Sequence, residues 1–138
     1  MKLARPLVLL VEDDADTAAL YKAMLTAEEW EVVSCDSAQA AREWCSRAAK
    51  KPQLLILDVR LPDSNGVELC RELTAVLANG SGPAVLMLSA HGDPRMPKLC
   101  RKAGARAFLD KLRDLDRLVD TAKQLMQEQA SLTSSHPS

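Results

Sequence analysis

Asp58 closes an unbroken aliphatic run, residues 54–57, and is followed closely by Pro62, Asp63, Ser64, Asn65 and Gly66. Such a run reads as a strand buried on both faces, and a buried strand gains nothing in packing from a terminal carboxylate. In the turn after it, proline fixes one dihedral, glycine supplies a positive one, and Asp, Ser and Asn bond nearby backbone. Three more runs end on groups that can do chemistry: residues 7–11 on Glu12 and Asp13, residues 84–88 on Ser89, and residues 105–109 on Asp110 and Lys111. Taken singly, each has a structural explanation, such as an acidic helix start, an Asx-turn or a solvated lysine. Together Glu12, Asp13, Asp58, Ser89 and Lys111 supply three carboxylates, a hydroxyl and an ammonium. Clustered carboxylates repel unless a cation joins them, and hard oxygen donors with room for water suit Mg²⁺. A dication and an ammonium flanking one carboxylate suit a phosphoryl group. Asp58 is then the nucleophile, because carboxylates form acyl phosphates and no Ser or Cys stands beside a base.

The elements that must bring these groups together follow from periodicity. After residues 7–11, Thr17, Leu20, Tyr21, Met24 and Leu25 recur at helical spacing, with Asp14 as N-cap and Asp16 at the positive end of the dipole. Residues 30–34 alternate as a strand nearer an edge, and Ser37 or Asp36 opens a helix with Ala38, Ala41, Cys45 and Ala48 inward. A third strand over 53–57 leads through the turn to a helix with Val67, Cys70, Leu73, Val76 and Leu77 inward, ended by Asn79, Gly80, Ser81, Gly82 and Pro83. A fourth strand over 84–88 precedes a short helix with Met96, Leu99, Cys100 and Ala103. A fifth strand over 105–109 precedes a last helix marked by Leu112, Leu115, Leu118, Val119, Ala122, Leu125 and Met126. Residues 1–130 make one domain, and the Ser-rich stretch 131–138 reads as a disordered tail or a truncated linker. Five strands alternating with five helices predict an α/β doubly wound parallel sheet, although the alternation alone does not give the strand order. In such a sheet the strand ends share one edge, where ligands bind.

Composition narrows the function further. Eighteen basic and 19 acidic residues give a net charge of −1, which offers no electrostatic footprint for nucleic acid or an anionic membrane. Cys35, Cys45, Cys70 and Cys100 lack the close spacing of a zinc or thioredoxin-type site and read as reduced thiols. No apolar run approaches the roughly 18 residues of a membrane span, so the expected home is the cytoplasm.

At this point the residues resemble a known family, the receiver domains of two-component response regulators, of the chemotaxis-regulator type. Residues 8–14 look like its first strand and acidic pair, residues 54–66 like its phosphoacceptor motif, residues 83–90 like the segment carrying a switch hydroxyl, and residues 102–111 like its glycine-to-lysine segment. The resemblance implies a flavodoxin-like sheet in the order 2-1-3-4-5 with five helices, and phosphotransfer to Asp58 from a histidine kinase or a histidine phosphotransfer protein. It implies Mg²⁺, or Mn²⁺ in its place, held by Asp13, Asp58 and the Arg60 backbone carbonyl, with Glu12 acting through water. Ser89 and Lys111 would contact the phosphoryl oxygens, and Ser89 with Phe108 would switch the surface of the fourth helix, fifth strand and fifth helix. That surface would control a downstream partner, an output domain absent from this chain, or a phosphorylation-dependent homodimer.

One departure stands out: Leu112 follows Lys111 where the family commonly has proline. A cis bond before leucine would cost about 3–4 kcal/mol, so a trans bond is expected, or a strained cis one where the pocket over-determines it. Arg60 and His91, each two residues past a pocket residue, are candidates for setting the lifetime of the acyl phosphate by controlling water. Two other functions compete. A receiver-like interaction module could act without phosphate. A haloacid dehalogenase-type phosphatase would use Asp14, in Asp14-Ala-Asp-Thr-Ala18, a near miss to that signature, and no cap domain is available.

Overall fold

The aliphatic runs form the centre of one sheet. In the computed structural model, which describes residues 5–78, 82–90 and 93–134, β1 (Leu7–Val11), β3 (Leu54–Asp58) and β4 (Ala84–Ser89) are buried along their whole length. The outer strands β2 (Glu31–Cys35) and β5 (Ala107–Asp110) are only partly covered. The strand order is β2-β1-β3-β4-β5 and every pairing is parallel. This is the flavodoxin-like order that the resemblance implied.

Five helices cover the two faces: α1 (Ala15–Thr26), α2 (Ala38–Arg47), α3 (Gly66–Val76), α4 (Met96–Lys102) and α5 (Leu118–Ser134), the last preceded by a single 3₁₀ turn, Leu115–Arg117. On one face, Val8, Leu10, Ile56 and Leu86 pack against Tyr21 and Leu25 of α1 and Leu118, Ala122 and Leu125 of α5. On the other, Leu9, Val11, Leu55, Leu57, Val85 and Met87 meet Ala38 and Ala41 of α2, Leu69, Cys70 and Leu73 of α3, and Cys100 of α4. Alternate strand residues feed opposite layers because successive side chains point to opposite faces. Each fully buried leucine contributes about 1.5–3 kcal/mol. The four cysteines are free thiols, and burial pushes Cys45, Cys70 and Cys100 up to about 11.

Several local expectations are corrected. The buried stripe of α3 is Leu69, Cys70 and Leu73, continued by Leu77 beyond the helix, which leaves Val76 exposed. Leu20 and Leu99 likewise lie outside the buried stripes of their helices. Leu112, expected within the last helix, precedes it and is 83% exposed. Gly104, at φ 113°, turns the chain after α4, so β5 starts at Ala107 rather than at 105. At the other end, α5 runs on to Ser134. Gln129 carries the buried periodicity onward, and its Nε2 donates to the Gly82 carbonyl. Residues 135–138 lie outside the described residues.

Candidate functional site

Strand register decides which groups meet. Val11 pairs with Leu57 and Leu57 with Met87, so Glu12 and Asp58 leave the ends of β1 and β3 side by side. Ser89 pairs with Asp110, and the Lys111 amide donates to the Ser89 carbonyl at 2.8 Å. The four chemically equipped strand ends therefore converge on one edge of the sheet.

Glu12, Asp58 and Ser89 are buried, whereas Asp13 is exposed. Lys111 reaches across from the end of β5 and places Nζ 2.6 Å from Asp58 Oδ2, while also forming an ion pair with Glu12 Oε1. The other oxygen of Asp58, Oδ1, accepts from the Arg60 amide at 3.1 Å. Glu12 Oε2 accepts from the Asp14 amide at 3.0 Å. Burial pushes the Glu12 carboxyl above its ordinary pKa, outweighing the opposing hydrogen bonds from Lys111 and Asp14. For Lys111, burial pulls the pKa down, but hydrogen bonds to Asp58 and Glu12 outweigh it and the net shift is upward. The peptide bond between Lys111 and Leu112 is trans, as expected, and Lys111 still reaches the pocket.

One carboxylate oxygen each from Glu12, Asp13 and Asp58 lies within 4.8 Å of the others. These carboxylates would hold a small, hard dication, which takes oxygen ligands and keeps several waters. One ammonium also leaves three clustered carboxylates under-compensated. Donor type and charge both fit a hard dication.

The turn after β3 is a short arm. Arg60 and Asn65 form a bridge whose bonds run from Gly66 N to Val59 O at 2.6 Å and from Leu61 N to Ser64 O at 3.2 Å, so Arg60's own carbonyl takes no part in it. The Arg60 side chain is exposed. Two expectations for this arm are corrected. Gly66 does not adopt a positive φ; it is required because a Cβ there would lie 1.9 Å from the Asp58 carbonyl oxygen. Asp63 reaches beyond its own turn: its own amide is only a minor partner of its side chain, and the main ones are distant in sequence. Its two oxygens accept from the Ala38 and Gln39 amides at 2.9 Å each, capping α2 from 24–25 residues away. No local sequence pattern announces that contact.

Asp14 is the N-cap of α1, accepting from the Thr17 amide at 2.9 Å and the Thr17 hydroxyl at 2.6 Å. It is therefore committed to the helix rather than placed as a phosphatase nucleophile. Phe108, in register with Met87, is half-buried against the layer that includes α4. His91 lies outside the described residues.

Residues 8–123 match the family described as response regulator receiver domain. Over 89% of its length the chain is 31% identical to the regulatory protein LuxO of Vibrio cholerae serotype O1, of which it spans 26%. The signal receiver domain of a putative LuxO repressor protein from Vibrio parahaemolyticus superposes with a TM-score of 0.81 at 30% identity, covering 96% of this chain and 100% of that one. A CheY-like response regulator receiver domain protein from Methanospirillum hungatei JF-1 shares the fold, with a TM-score of 0.81 at 23% identity and coverage of 93% and 98%. The chain belongs to the response regulator receiver domain family, the signalling domains of two-component systems. Among the described residues no helix is long and apolar enough to cross a membrane.

Proposed function

We propose that this receiver accepts a phosphoryl group on Asp58 from the phosphohistidine of a histidine kinase or histidine phosphotransfer protein. The observation that carries this reading is the buried Asp58 carboxylate, held on one oxygen by Lys111 and on the other by the Arg60 amide, beside Glu12 and Asp13. A carboxylate oxygen of Asp58 attacks phosphorus, the P–N bond breaks, and the donor imidazole leaves with its electron pair. Attack of water on the acyl phosphate later releases inorganic phosphate and restores the carboxylate, so the only reactions catalysed are the domain's own phosphorylation and dephosphorylation. Mg²⁺, or Mn²⁺ in its place, would be held by Asp13, Asp58 and the Arg60 carbonyl, with Glu12 through water, and supplies positive charge against the phosphoryl oxygens.

Lys111 shifts from Asp58 to the incoming oxygens, and the Ser89 hydroxyl donates to them. Movement of Ser89 with Phe108 then alters the face formed by α4, β5 and α5, which controls a partner, an attached output domain or a homodimer. Arg60 and His91 set how water reaches the acyl phosphate. The setting is cytoplasmic, and nucleic acid is not contacted by this chain.

The test is labelling by acetyl phosphate. Wild type is expected to take up one phosphoryl group only when Mg²⁺ is present, and Asp58→Asn none. Equal labelling of Asp58→Asn, or none of wild type with Mg²⁺ present, would overturn the reading.

A further inference from the structure

Lys111 is followed by Leu112, whose side chain is 83% exposed and so offers little packing to hold the loop. Yet this loop must aim a long, flexible side chain at Asp58 and Glu12. The backbone bonds around Lys111 explain how. Asp110 Oδ1 accepts from the Leu112 amide at 2.8 Å and the Arg113 amide at 3.0 Å. Asp114 Oδ2 accepts from the Asp110 amide at 2.9 Å, and the Asp114 amide donates to the Asp110 carbonyl at 2.8 Å. Both residues flanking Lys111 are thereby fixed by carboxylates of the same loop, while the Lys111 amide itself is tied to Ser89 on β4.

We infer that Asp110 and Asp114 are positioning residues that clasp the loop around Lys111 and so set the direction in which its ammonium enters the pocket. This rests on the proposed phosphoacceptor role of Asp58 and deepens it. Through these bonds both carboxylates act on the backbone around Lys111. A lysine stem has several rotatable bonds and heavy rotamer entropy, so an unclasped loop spreads Nζ over many positions. The clasp also accounts for leucine in place of proline. The Asp110 bond needs the amide of residue 112, which proline lacks, and proline would bias Lys111 away from helical turn geometry.

Labelling rate and an unphosphorylated readout test the clasp together. Asp110→Ala and Asp114→Ala are expected to slow acetyl phosphate labelling by about tenfold or more, the scale expected when a catalytic group is displaced by a fraction of an ångström to an ångström. Melting temperatures should stay within a few degrees of wild type. Asp110→Asn, which keeps an oxygen acceptor, should recover most of the rate. Leu112→Ala keeps the amide and should label like wild type, whereas Leu112→Pro should label slowly. In the unphosphorylated protein, the nitrogen NMR signal of the Lys111 ammonium should be protected from exchange in wild type, Asp110→Asn and Leu112→Ala, and lost in the two alanine variants and Leu112→Pro. If labelling and NMR protection survive in Asp110→Ala and Asp114→Ala, the clasp fails and the phosphoacceptor reading stands. If wild type is not labelled but the NMR pattern holds, the phosphoacceptor reading fails and the clasp stands as a device that places Lys111.

Discussion

Burial of Glu12 at the strand end carries an electrostatic cost. The carboxyl is pushed above its ordinary pKa of 4.5 by that burial, and one of its oxygens is tied to Lys111. A carboxyl with a raised folded-state pKa favours the fold while protonated, below about its ordinary value. That contribution is lost as pH rises through the raised value. Without metal, Glu12→Gln is therefore expected to melt above wild type at neutral pH, with the difference closing as pH falls below 4.5. Melting curves across pH in a chelating buffer check this, and a neutral-pH loss in Glu12→Gln would contradict it. Lys111 has linkage of the same sign in a much higher pH window. Its raised pKa means its contribution is present throughout the neutral range and lost only when pH climbs past its ordinary 10.5 and through the raised value.

At the scale of elements, the arm between β3 and α3 couples Asp58 to its surroundings at both ends. Its base is pressed against Asp58 by Gly66, and its tip is bound to the start of α2 by Asp63. Gly66→Ala must move backbone, because the obstructing atom is the Asp58 carbonyl oxygen. Overpacking of this kind costs about 1–3 kcal/mol or more, so a melting temperature lowered by several degrees is expected, together with slow labelling. A wild-type melting curve for Gly66→Ala would refute the close approach. For Asp63, hydrogen bonds from the Gln39 and Ala38 amides hold the carboxyl below its ordinary pKa. Its contribution is present above its ordinary 3.8 and is lost as pH falls through the lowered value. Asp63→Ala should melt below wild type at neutral pH, with the gap narrowing in strong acid.

This arm also marks the boundary of what sequence can show. The strands were legible because aliphatic runs have few other uses, and the site was legible because each run ended on a group unsuited to packing. Asp14 and Ser37 were readable as caps, since a cap lies beside the helix it serves. Asp63 was not, because its helix begins 25 residues earlier and only the folded sheet brings them together. Gly66 invited the commonest explanation for glycine in a turn, whereas its reason is a through-space contact. Leu112 looked like part of a helical stripe, but the stripe counts apolar residues and cannot tell that the loop around Lys111 still has to close.

At the scale of the whole molecule, β1 and β3 deliver three carboxylates to one edge of the sheet against the single ammonium that follows β5, so the fold leaves uncompensated negative charge there. A metal held by Asp13 and Asp58 would relieve it, and binding that favours the folded state raises stability by mass action. At a Mg²⁺ concentration about a hundred times the dissociation constant, the gain is about 2.7 kcal/mol. For a domain of this size that corresponds to a rise in melting temperature on the order of 10 °C. Asp13→Asn removes a candidate ligand that is exposed, so it should fold as well as wild type without metal and lose most of the Mg²⁺-dependent rise. Asp58→Asn should lose it too, whereas Asp14→Asn, which alters a helix cap outside the cluster, should keep it. Thermal melts of the four proteins with and without Mg²⁺ decide the matter. A rise of the same size in Asp13→Asn would mean that Mg²⁺ stabilises the fold from somewhere other than the strand ends.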